Sequence, residues 1–293
     1  MSAEARPAAN RTLAGIAITL LGVFVFAFSN AMAKLVMHHA PVGETLFARS
    51  TVALLMLAPF LTRADFTRLR TGPDWPLHMV RCVFSGIEVG CYYWAITGIQ
   101  LADASTIYLA GPIYVTAMSA VFLREQVGWR RWTAVIVGFV GVVVALRPGG
   151  QALGPHVLVA VGGSLLYAVS LVAVRRQRDT SNTMLVVSQV AALNLFSLLT
   201  LPFGWVMPTP LEAGMLLFVG VVSTVGYLCV NRGLQLAPAS VVVPFNYVSI
   251  VYAAVLGYLL FDDTPAPATI AGALIIVGAG LFILLRERVK ERT

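Results

Sequence analysis

The sequence contains few charged residues: Asp, Glu, Lys and Arg together make up 11% of 293 residues, whereas a soluble domain carries about a quarter. Apolar residues make up 58% of the chain. This composition excludes an ordinary soluble protein and predicts an all-α integral membrane protein in a lipid bilayer. One span needs about 20 apolar residues, so roughly ten spans fit, and we expect no soluble enzyme or ligand-binding domain within this length.

Residues that hold metals or disulfides are also scarce. The three cysteines lie in apolar runs without a C-x-x-C motif, and the four histidines lack a paired ligand spacing; they are Cys82, Cys91, Cys229, His38, His39, His78 and His156. We therefore expect no disulfide, no metal site and no cofactor. Walker, G-x-S-x-G and H-E-x-x-H motifs are missing too, so ATP-driven pumping and intramembrane proteolysis have no support, and no catalytic residue is predicted.

Ten apolar runs, separated by turns rich in Pro and Gly, are predicted to form transmembrane helices. We call them predicted helices 1 to 10; they cover residues 12–33, 44–62, 76–99, 103–123, 131–146, 156–174, 183–201, 211–231, 238–261 and 267–285. The first run follows two arginines and ends near an A-x-A sequence, as a signal peptide does. It is longer than the apolar region of a signal peptide, so we expect a retained helix.

The positive charges lie mainly on one side of these ten helices. Sixteen of the twenty Lys and Arg residues fall in the terminal segments or in the loops on the same side as both termini. By the positive-inside rule, both termini are predicted to be cytoplasmic. The net charge of +7 therefore reflects membrane topology and does not indicate nucleic acid as a partner.

A sequence repeat relates the two halves of the chain. The pattern G-x-Q-L-A-x-A-S at residues 98–105 returns 135 positions later at residues 233–240. The same shift carries Tyr92 onto Tyr227 and Glu88 onto Ser223. We predict two five-helix repeats, residues 1–147 and 148–293. Because five is an odd number, the repeats insert with opposite orientation, which favours a substrate site near the membrane midplane.

These motifs resemble the drug/metabolite transporter superfamily, in its ten-helix EamA-type branch. The resemblance covers essentially the whole chain, and the matching residues include Ser29-Asn30, Lys34, Arg49, residues 93–105, Gly111-Pro112, Tyr167-Ala168, residues 233–240 and Phe261-Asp262-Asp263. It implies a basket-like bundle with a central cavity between predicted helices 3, 4, 8 and 9. It also implies transport of small metabolites across the bacterial inner membrane, often export of amino acids. It fixes neither the substrate nor the direction.

Polar and aromatic residues form stripes on predicted helices 3, 4, 8 and 9. On predicted helix 3, for example, Arg81, Ser85, Glu88 and Tyr92 share one face. Stripes on two repeat-related helix pairs cannot all face lipid, so we expect them to enclose a cavity or a polar seam. The residues predicted to bind substrate are Ser85, Glu88, Tyr92, Tyr108, Pro112, Ser223, Tyr227, Asn246 and Tyr247.

Glu88 is the most informative of these residues. A charged side chain at the centre of a membrane helix costs about 2.5–3.5 kcal/mol on insertion scales, so it needs a partner or water. It could bind a substrate ammonium, or it could accept a proton and couple transport to the proton gradient. The structural alternative is an ion pair, for example with Arg81, or a protonated acid bonded to a neighbour. We favour a functional role.

The tyrosines and prolines among these residues can be explained either by a role in transport or by ordinary helix structure. Tyr92 and Tyr227 occupy equivalent positions and suit substrates of varied polarity, but ordinary helix packing would explain them as well. Pro112 and Pro244 interrupt predicted helices 4 and 9. They could permit a gating motion, or each could produce a static kink.

Lys34, Glu44 and Arg49 are predicted to cluster near the external ends of predicted helices 1 and 2. An outer gate of ion pairs is possible there. Interfacial charges that pair and extend toward water are the more common arrangement, and we favour that interpretation.

The leading functional hypothesis is a secondary transporter that exports amino acids or related small metabolites by alternating access. An importer of a metabolite or cofactor with the same fold is the alternative. A membrane scaffold would need no polar midplane stripe, and an intramembrane enzyme would need a paired nucleophile or metal set. We expect a monomer in which predicted helices 5 and 10 lie at the rim and face lipid. The alternative is a dimer in which these two helices form the contact.

Overall fold

A computed structural model describes residues 5–60, 75–122, 129–146, 154–176, 182–236 and 243–291. Within these ranges the regular structure is helical. We number the α-helices α1 (Ala5–Val36), α2 (Val42–Leu57), α3 (Trp75–Ile96), α4 (Leu101–Tyr108), α5 (Gly111–Phe122), α6 (Trp129–Leu146), α7 (Pro155–Arg176), α8 (Asn182–Thr200), α9 (Pro210–Leu236), α10 (Ser249–Phe261) and α11 (Pro267–Glu291). Short 3-10 helices cover Ala58–Phe60, Leu201–Phe203 and Val243–Val248.

Each of the ten apolar runs corresponds to a helix, and two of these helices are discontinuous. Predicted helix 4 is divided into α4 and α5 by a turn at Leu109 and Ala110, and predicted helix 9 contains the 3-10 segment Val243–Val248 ahead of α10. Proline lacks the backbone N–H that continues an α-helix, and it is tolerated in the first turn. Pro112 stands second in α5, after the turn at Leu109 and Ala110, and Pro244 stands second in the 3-10 segment Val243–Val248.

Among the helices within the described ranges, three are long and apolar enough to cross a membrane, namely Leu13–Val36, Pro155–Ala173 and Pro210–Val230. Shorter apolar helical stretches cover Trp132–Leu146, Met184–Thr200, Phe245–Phe261 and Pro267–Phe282. The polar residues of α2 and α3 lower the hydropathy of those helices. Most of these polar residues are buried inside the bundle, among them Arg49, Arg81 and Glu88.

The helices pack in pairs that join the two halves of the chain. α1 packs against α9 and α10, while α3 packs against α7 and α8. α2 also contacts α8 and α9, and α4 contacts α7 and α10. α6 and α11 pack against each other at the side of the bundle. The first helix is therefore part of the core, where Ala31 and Ala33 are fully buried.

Small residues bring α6 and α11 together. A β-carbon added at Gly272 would lie 2.6 Å from the Gly141 carbonyl oxygen, so the two backbones are nearly in contact. On the outer side of the pair, large apolar side chains are exposed, including Ile136, Phe139 and Leu274. Gly141 and Gly272 thus serve a close contact within this chain, and the outer face of the pair has the composition expected for lipid.

Candidate functional site

Two cavities lie at opposite ends of the bundle. The first, which we call the Arg49 cavity, has a volume of about 390 Å³ and is lined by residues of α2, α3, α8 and α9, among them Arg49, Val89, Gln189, Ser223 and Tyr227. The second, the Lys34 cavity, has a volume of about 910 Å³. It lies where α1, α3, α6 and α10 end and where α4 and α7 begin.

A chain of buried polar side chains crosses the bundle next to the Arg49 cavity. The Arg49 Nη1 atom donates a hydrogen bond to the Tyr93 hydroxyl at 2.5 Å, and this hydroxyl donates to Asn30 Oδ1 at 3.4 Å. Asn30 Nδ2 in turn donates to the Tyr92 hydroxyl at 3.4 Å. Ser105 is a further hydrogen-bond partner of Tyr92. We call these five residues the buried network; they connect α1, α2, α3 and α4.

Aromatic rings surround the positive charge of this network. The Arg49 guanidinium lies 5.0 Å from the centre of the Tyr93 ring and 5.5 Å from that of Phe26. The Phe26 ring meets Tyr227 edge to face at 5.0 Å. Such ring faces attract a cation when water is removed. They hold the Arg49 side chain, which is 4% exposed, in place without neutralising its charge.

Glu88 is buried beside the network, with 6% of its surface exposed. The Tyr108 hydroxyl donates a hydrogen bond to the Glu88 backbone carbonyl at 2.9 Å, which fixes α4 against α3. The Glu88 side chain is close enough to Arg49 to interact with it electrostatically, and it lies near Tyr108, Tyr167 and Tyr227. A buried acid and a buried cation therefore share one interior region that is rich in tyrosine hydroxyls.

The walls of the Arg49 cavity differ from the prediction. Its lining comes from predicted helices 2, 3, 7 and 8, and no described residue of predicted helices 4 and 9 contributes. Tyrosine rings fill the space between α3, α4 and α7: Tyr92 meets Tyr108 edge to face at 5.0 Å, and Tyr108 lies 6.2 Å from Tyr167. The face of α3 that carries Glu88 is therefore closed by aromatic packing in this state.

The other predicted binding residues are distributed around this region. Ser223 lines the Arg49 cavity and donates to the Gly220 carbonyl at 3.0 Å, and Ser85 is buried. Asn246 is partly exposed. Tyr247 faces α11 next to Gly280 instead of either cavity, and its buried hydroxyl has no hydrogen-bond partner among the described residues. The side chains of Pro112 and Pro244 lie outside the described residues.

The predicted cluster of Lys34, Glu44 and Arg49 does not form. Lys34 Nζ contacts Asp263 Oδ2 at 3.3 Å and the Ile99 carbonyl at 3.0 Å, and Glu44 Oε2 accepts a hydrogen bond from the Val206 amide at 3.2 Å. Arg49 instead belongs to the buried network, because it stands seven residues into α2, about 10 Å along the helix axis from Val42. Three charges that are close in sequence thus have three different surroundings.

Arg81 is not the ion-pair partner that the structural alternative for Glu88 proposed. Its Nη2 atom donates hydrogen bonds to Ser188 Oγ at 2.8 Å and to the Leu185 carbonyl at 3.2 Å, both on α8. These contacts satisfy part of the hydrogen-bonding capacity of the Arg81 side chain, which is 1% exposed. Arg81 therefore joins α3 to α8.

Asn30, Tyr93 and Tyr167 are not among the residues that the sequence predicts to bind substrate. Tyr93 lies four residues after Val89, on a second buried face of α3 that points to α2 and α8. The signal available in the sequence was the small residue Gly86 on this same face, which indicates that α3 is enclosed on more than one side.

An apolar cluster separates the buried network from the Lys34 cavity. It contains Ala27, Ala31, Ile96, Leu101, Ala104, Ala253 and Leu256, with Tyr92, Ile99 and Phe261 at its edges. Tyr92 belongs to the network, whereas Ile99 and Phe261 line the Lys34 cavity. The cluster thus closes this end of the bundle between α1, α3, α4 and α10.

Comparison with known proteins agrees with this architecture. Residues 13–147 and 154–285 each match the model of the EamA-like transporter family. A solved crystal structure has the same fold, with a TM-score of 0.59, 19% sequence identity, and coverage of 97% of this chain and 99% of that chain.

Three similar proteins are named as transporters. The pseudopaline exporter of Pseudomonas aeruginosa is 30% identical over 90% of this chain and 94% of its own length. The riboflavin transporter of Rhizobium johnstonii is 27% identical, with coverage of 96% and 91%. The S-adenosylmethionine uptake transporter of Rickettsia prowazekii is 24% identical, with coverage of 94% of both chains. Family and relatives alike are membrane transporters and not enzymes, and this chain belongs to the EamA-like transporter family.

Proposed function

We propose that this protein is a secondary transporter that exports amino acids or related small metabolites across the cytoplasmic membrane by alternating access. The single observation that carries the proposal is the buried region in which Glu88 and Arg49 lie among tyrosine hydroxyls. Charges inside a membrane bundle are costly and usually mark a substrate or ion pathway. One acid and one cation in the same region suit a small molecule that carries both charges.

The packing pairs support two inverted repeats, residues 1–147 and 148–293. Each predicted helix has an equivalent in the other repeat: helix 1 corresponds to helix 6, helix 2 to helix 7, and so on. Exchanging every helix for its equivalent converts the packing pair 1–8 into 3–6, the pair 1–9 into 4–6 and the pair 2–8 into 3–7. The pairs 2–7, 4–9 and 5–10 are converted into themselves. Such a set of contacts is what a pseudo-two-fold axis in the membrane plane produces.

The two cavities support alternating access. They lie at opposite ends of the bundle, and the apolar cluster separates the buried network from the Lys34 cavity, whereas Arg49 and Tyr227 line the other cavity directly. With both termini in the cytoplasm, as the Lys and Arg distribution predicts, the Arg49 cavity is on the cytoplasmic side. We infer that this state is open toward the cytoplasm and closed toward the outside.

Import of a small metabolite or cofactor is the second candidate function. The relatives named for uptake of S-adenosylmethionine and for riboflavin support it. An inward-open state occurs in the cycle of an exporter and of an importer, so the direction follows from the gradient and the substrate. We place export first because the pseudopaline exporter has the higher identity to this chain.

The test is transport by purified protein in proteoliposomes. We expect exchange of at least one radiolabelled amino acid from a panel of the twenty common ones, measured as counterflow with and without a pH gradient. Protein-free liposomes are the control, and riboflavin and S-adenosylmethionine are included as probes of the second candidate. Counterflow at the protein-free rate for every amino acid would remove amino acids as substrates.

The contact between Lys34 and Asp263 predicts an external latch between the repeats. Lys34 belongs to α1, Asp263 follows α10, and the pair is 11% and 24% exposed. The Phe261 ring lies 4.8 Å from Lys34 Nζ. Loss of a charge-assisted hydrogen bond of this kind shifts an equilibrium roughly tenfold. The readout is the rate at which an external, membrane-impermeant maleimide labels a cysteine placed at Ala31. We therefore expect this rate to be about tenfold higher in Lys34→Gln.

The latch experiment uses a protein whose native cysteines are replaced by alanine, since Cys91 and Cys229 are partly accessible. The charge-swapped double variant Lys34→Asp with Asp263→Lys should restore slow labelling. Equal rates in the parent and in Lys34→Gln would show that this pair does not keep the external side closed.

A further inference from the structure

Arg49 is a buried cation whose charge is not neutralised by an acid in direct contact. It forms no ion pair within the described part of the chain, where its one hydrogen bond goes to the neutral Tyr93 hydroxyl. A guanidinium has five N–H donors, so most of its donor capacity remains for other partners. Burial of a charge without a hydrogen-bonded counter-charge is unfavourable, which makes Arg49 a receptive site for an anion.

The side chain is also placed where a ligand can reach it. Arg49 lines the Arg49 cavity together with Ser50, Ser223 and Tyr227, and the volume of about 390 Å³ accommodates a molecule of amino-acid size. The rings of Phe26 and Tyr93 hold the guanidinium from the protein side. The planar fork of an arginine matches the two oxygens of a carboxylate better than any other side chain does.

We propose that Arg49 binds the carboxylate of the transported molecule and that Glu88, which lies across the same buried region, binds its ammonium group. The protein would then select zwitterionic amino-carboxylates over simple amines and over molecules without an acid. This assignment rests on the proposed transport function and specifies its substrate class. It places Arg49 in the binding site itself and not in the predicted external charge cluster.

The energetics of the closed region favour this arrangement. Arg49 acts electrostatically on Glu88, yet the two side chains form no ion pair. Once the tyrosine packing beside Glu88 opens, a zwitterion would contact both charges at once, and each contact would be a charge-assisted hydrogen bond. An amine would leave Arg49 without its anion, and a simple carboxylate would leave Glu88 without its cation.

The experiment compares an amino acid with its carboxamide, in which the carboxylate is replaced by a neutral group. The labelled substrate is the amino acid with the highest counterflow in the proteoliposome panel, and the unlabelled amino acid and its carboxamide are the competitors. In the wild type we expect the carboxamide to compete about 10- to 100-fold more weakly, the range that loss of one charge-assisted hydrogen bond gives.

Variants of Arg49 then assign the effect to this side chain. In Arg49→Gln we expect counterflow to fall by about 10- to 100-fold and the preference for the acid over its carboxamide to disappear. In Arg49→Lys the charge is kept, so part of the preference should remain. In Tyr93→Phe the ring is retained and only the hydroxyl is lost, which accepts from Arg49 and donates to Asn30, so we expect a smaller decrease with the preference unchanged.

The outcomes separate this inference from the proposed function. Counterflow by the wild type together with equal competition by acid and carboxamide would overturn the role of Arg49 even if no variant folds. An Arg49→Gln protein that keeps the full preference would overturn it as well. Failure of the wild type to transport any amino acid would instead remove the proposed substrate class, on which the inference rests.

Discussion

Glu88→Gln is expected to reduce amino-acid counterflow in proteoliposomes by at least about tenfold while the protein inserts and purifies normally. Glutamine has nearly the same shape as glutamate but lacks the charge that would bind an ammonium group, and a charge-assisted hydrogen bond contributes about 1.5–3 kcal/mol. Each 1.4 kcal/mol corresponds to a factor of ten in affinity. The backbone contact from Tyr108 to the Glu88 carbonyl does not involve the side chain, so the fold should be retained.

The matched control is the same change at Glu212. This side chain lies in the first turn of α9 and accepts hydrogen bonds at 2.8 Å from the amide and the hydroxyl of Thr209. These hydrogen bonds at the start of α9 are remote from the buried region, so the Glu212→Gln protein should transport at nearly the wild-type rate. A Glu88→Gln protein with the same rate as this control would exclude Glu88 from substrate binding, and an unchanged response to a pH gradient as well would exclude it from proton coupling.

Counterflow under a pH gradient distinguishes the two roles of Glu88. If Glu88 only binds the ammonium group, Glu88→Gln loses transport with and without the gradient. If it carries the coupled proton, the variant retains exchange of substrate across the membrane and loses only the response to the gradient. The two readouts therefore assign the chemistry of one side chain.

Gly272→Val is expected to produce the largest loss of stability. A β-carbon at this position would lie 2.6 Å from the Ala145 β-carbon and 2.7 Å from the Ala145 amide nitrogen, so α6 and α11 would have to separate. Overpacking of this kind costs about 1–3 kcal/mol, and here the obstacle is backbone, which cannot change rotamer. We expect a clearly lower midpoint for thermal aggregation in detergent, measured by fluorescence size-exclusion chromatography.

Gly278→Val on the same helix provides the comparison. The position is exposed, and no described atom lies within 4 Å of its β-carbon site. The same increase in side-chain volume should therefore leave the midpoint close to that of the wild type. If both variants lowered the midpoint by a similar amount, the loss of stability in Gly272→Val would not come from the close contact between α6 and α11.

Much of the fold followed from the sequence because the membrane limits the possibilities to apolar helices with satisfied backbone groups. The apolar runs therefore predicted the helices, and the motifs around Gly98 and Gly233 identified the family correctly. Helical periodicity also predicted that Glu88 and Tyr92 lie on one face of α3. Both residues contact Tyr108, Glu88 through its backbone carbonyl and Tyr92 through its ring, which agrees with this prediction.

The position of Arg49 could not be obtained in the same way. Sequence proximity to Glu44 suggested an external charge cluster, but depth in a bundle depends on where the helix begins and on which neighbour it meets. α2 begins at Val42, so Arg49 reaches the interior and contacts Tyr93 of α3. That contact depends on the packing of two helices, which no local pattern encodes.

The direction of the Tyr247 side chain could not be predicted from the sequence either. Its assignment to the binding site assumed α-helical spacing, but the chain there is a 3-10 helix over Val243–Val248. A 3-10 helix has three residues per turn instead of 3.6, so side chains point in other directions than the α-helical spacing implies. Tyr247 accordingly faces α11.

The interruption between α4 and α5 has a mechanical consequence. A continuous helix moves as one rod, whereas two short rods that meet at Leu109 and Ala110 can change their mutual angle with little loss of backbone hydrogen bonds. Tyr108 is the last residue of the first rod, and its hydroxyl is attached to the backbone of α3. The joint would therefore let α4 tilt without α5, so that Tyr108 could move away from α3 and uncover Glu88 while the rest of predicted helix 4 stays in place.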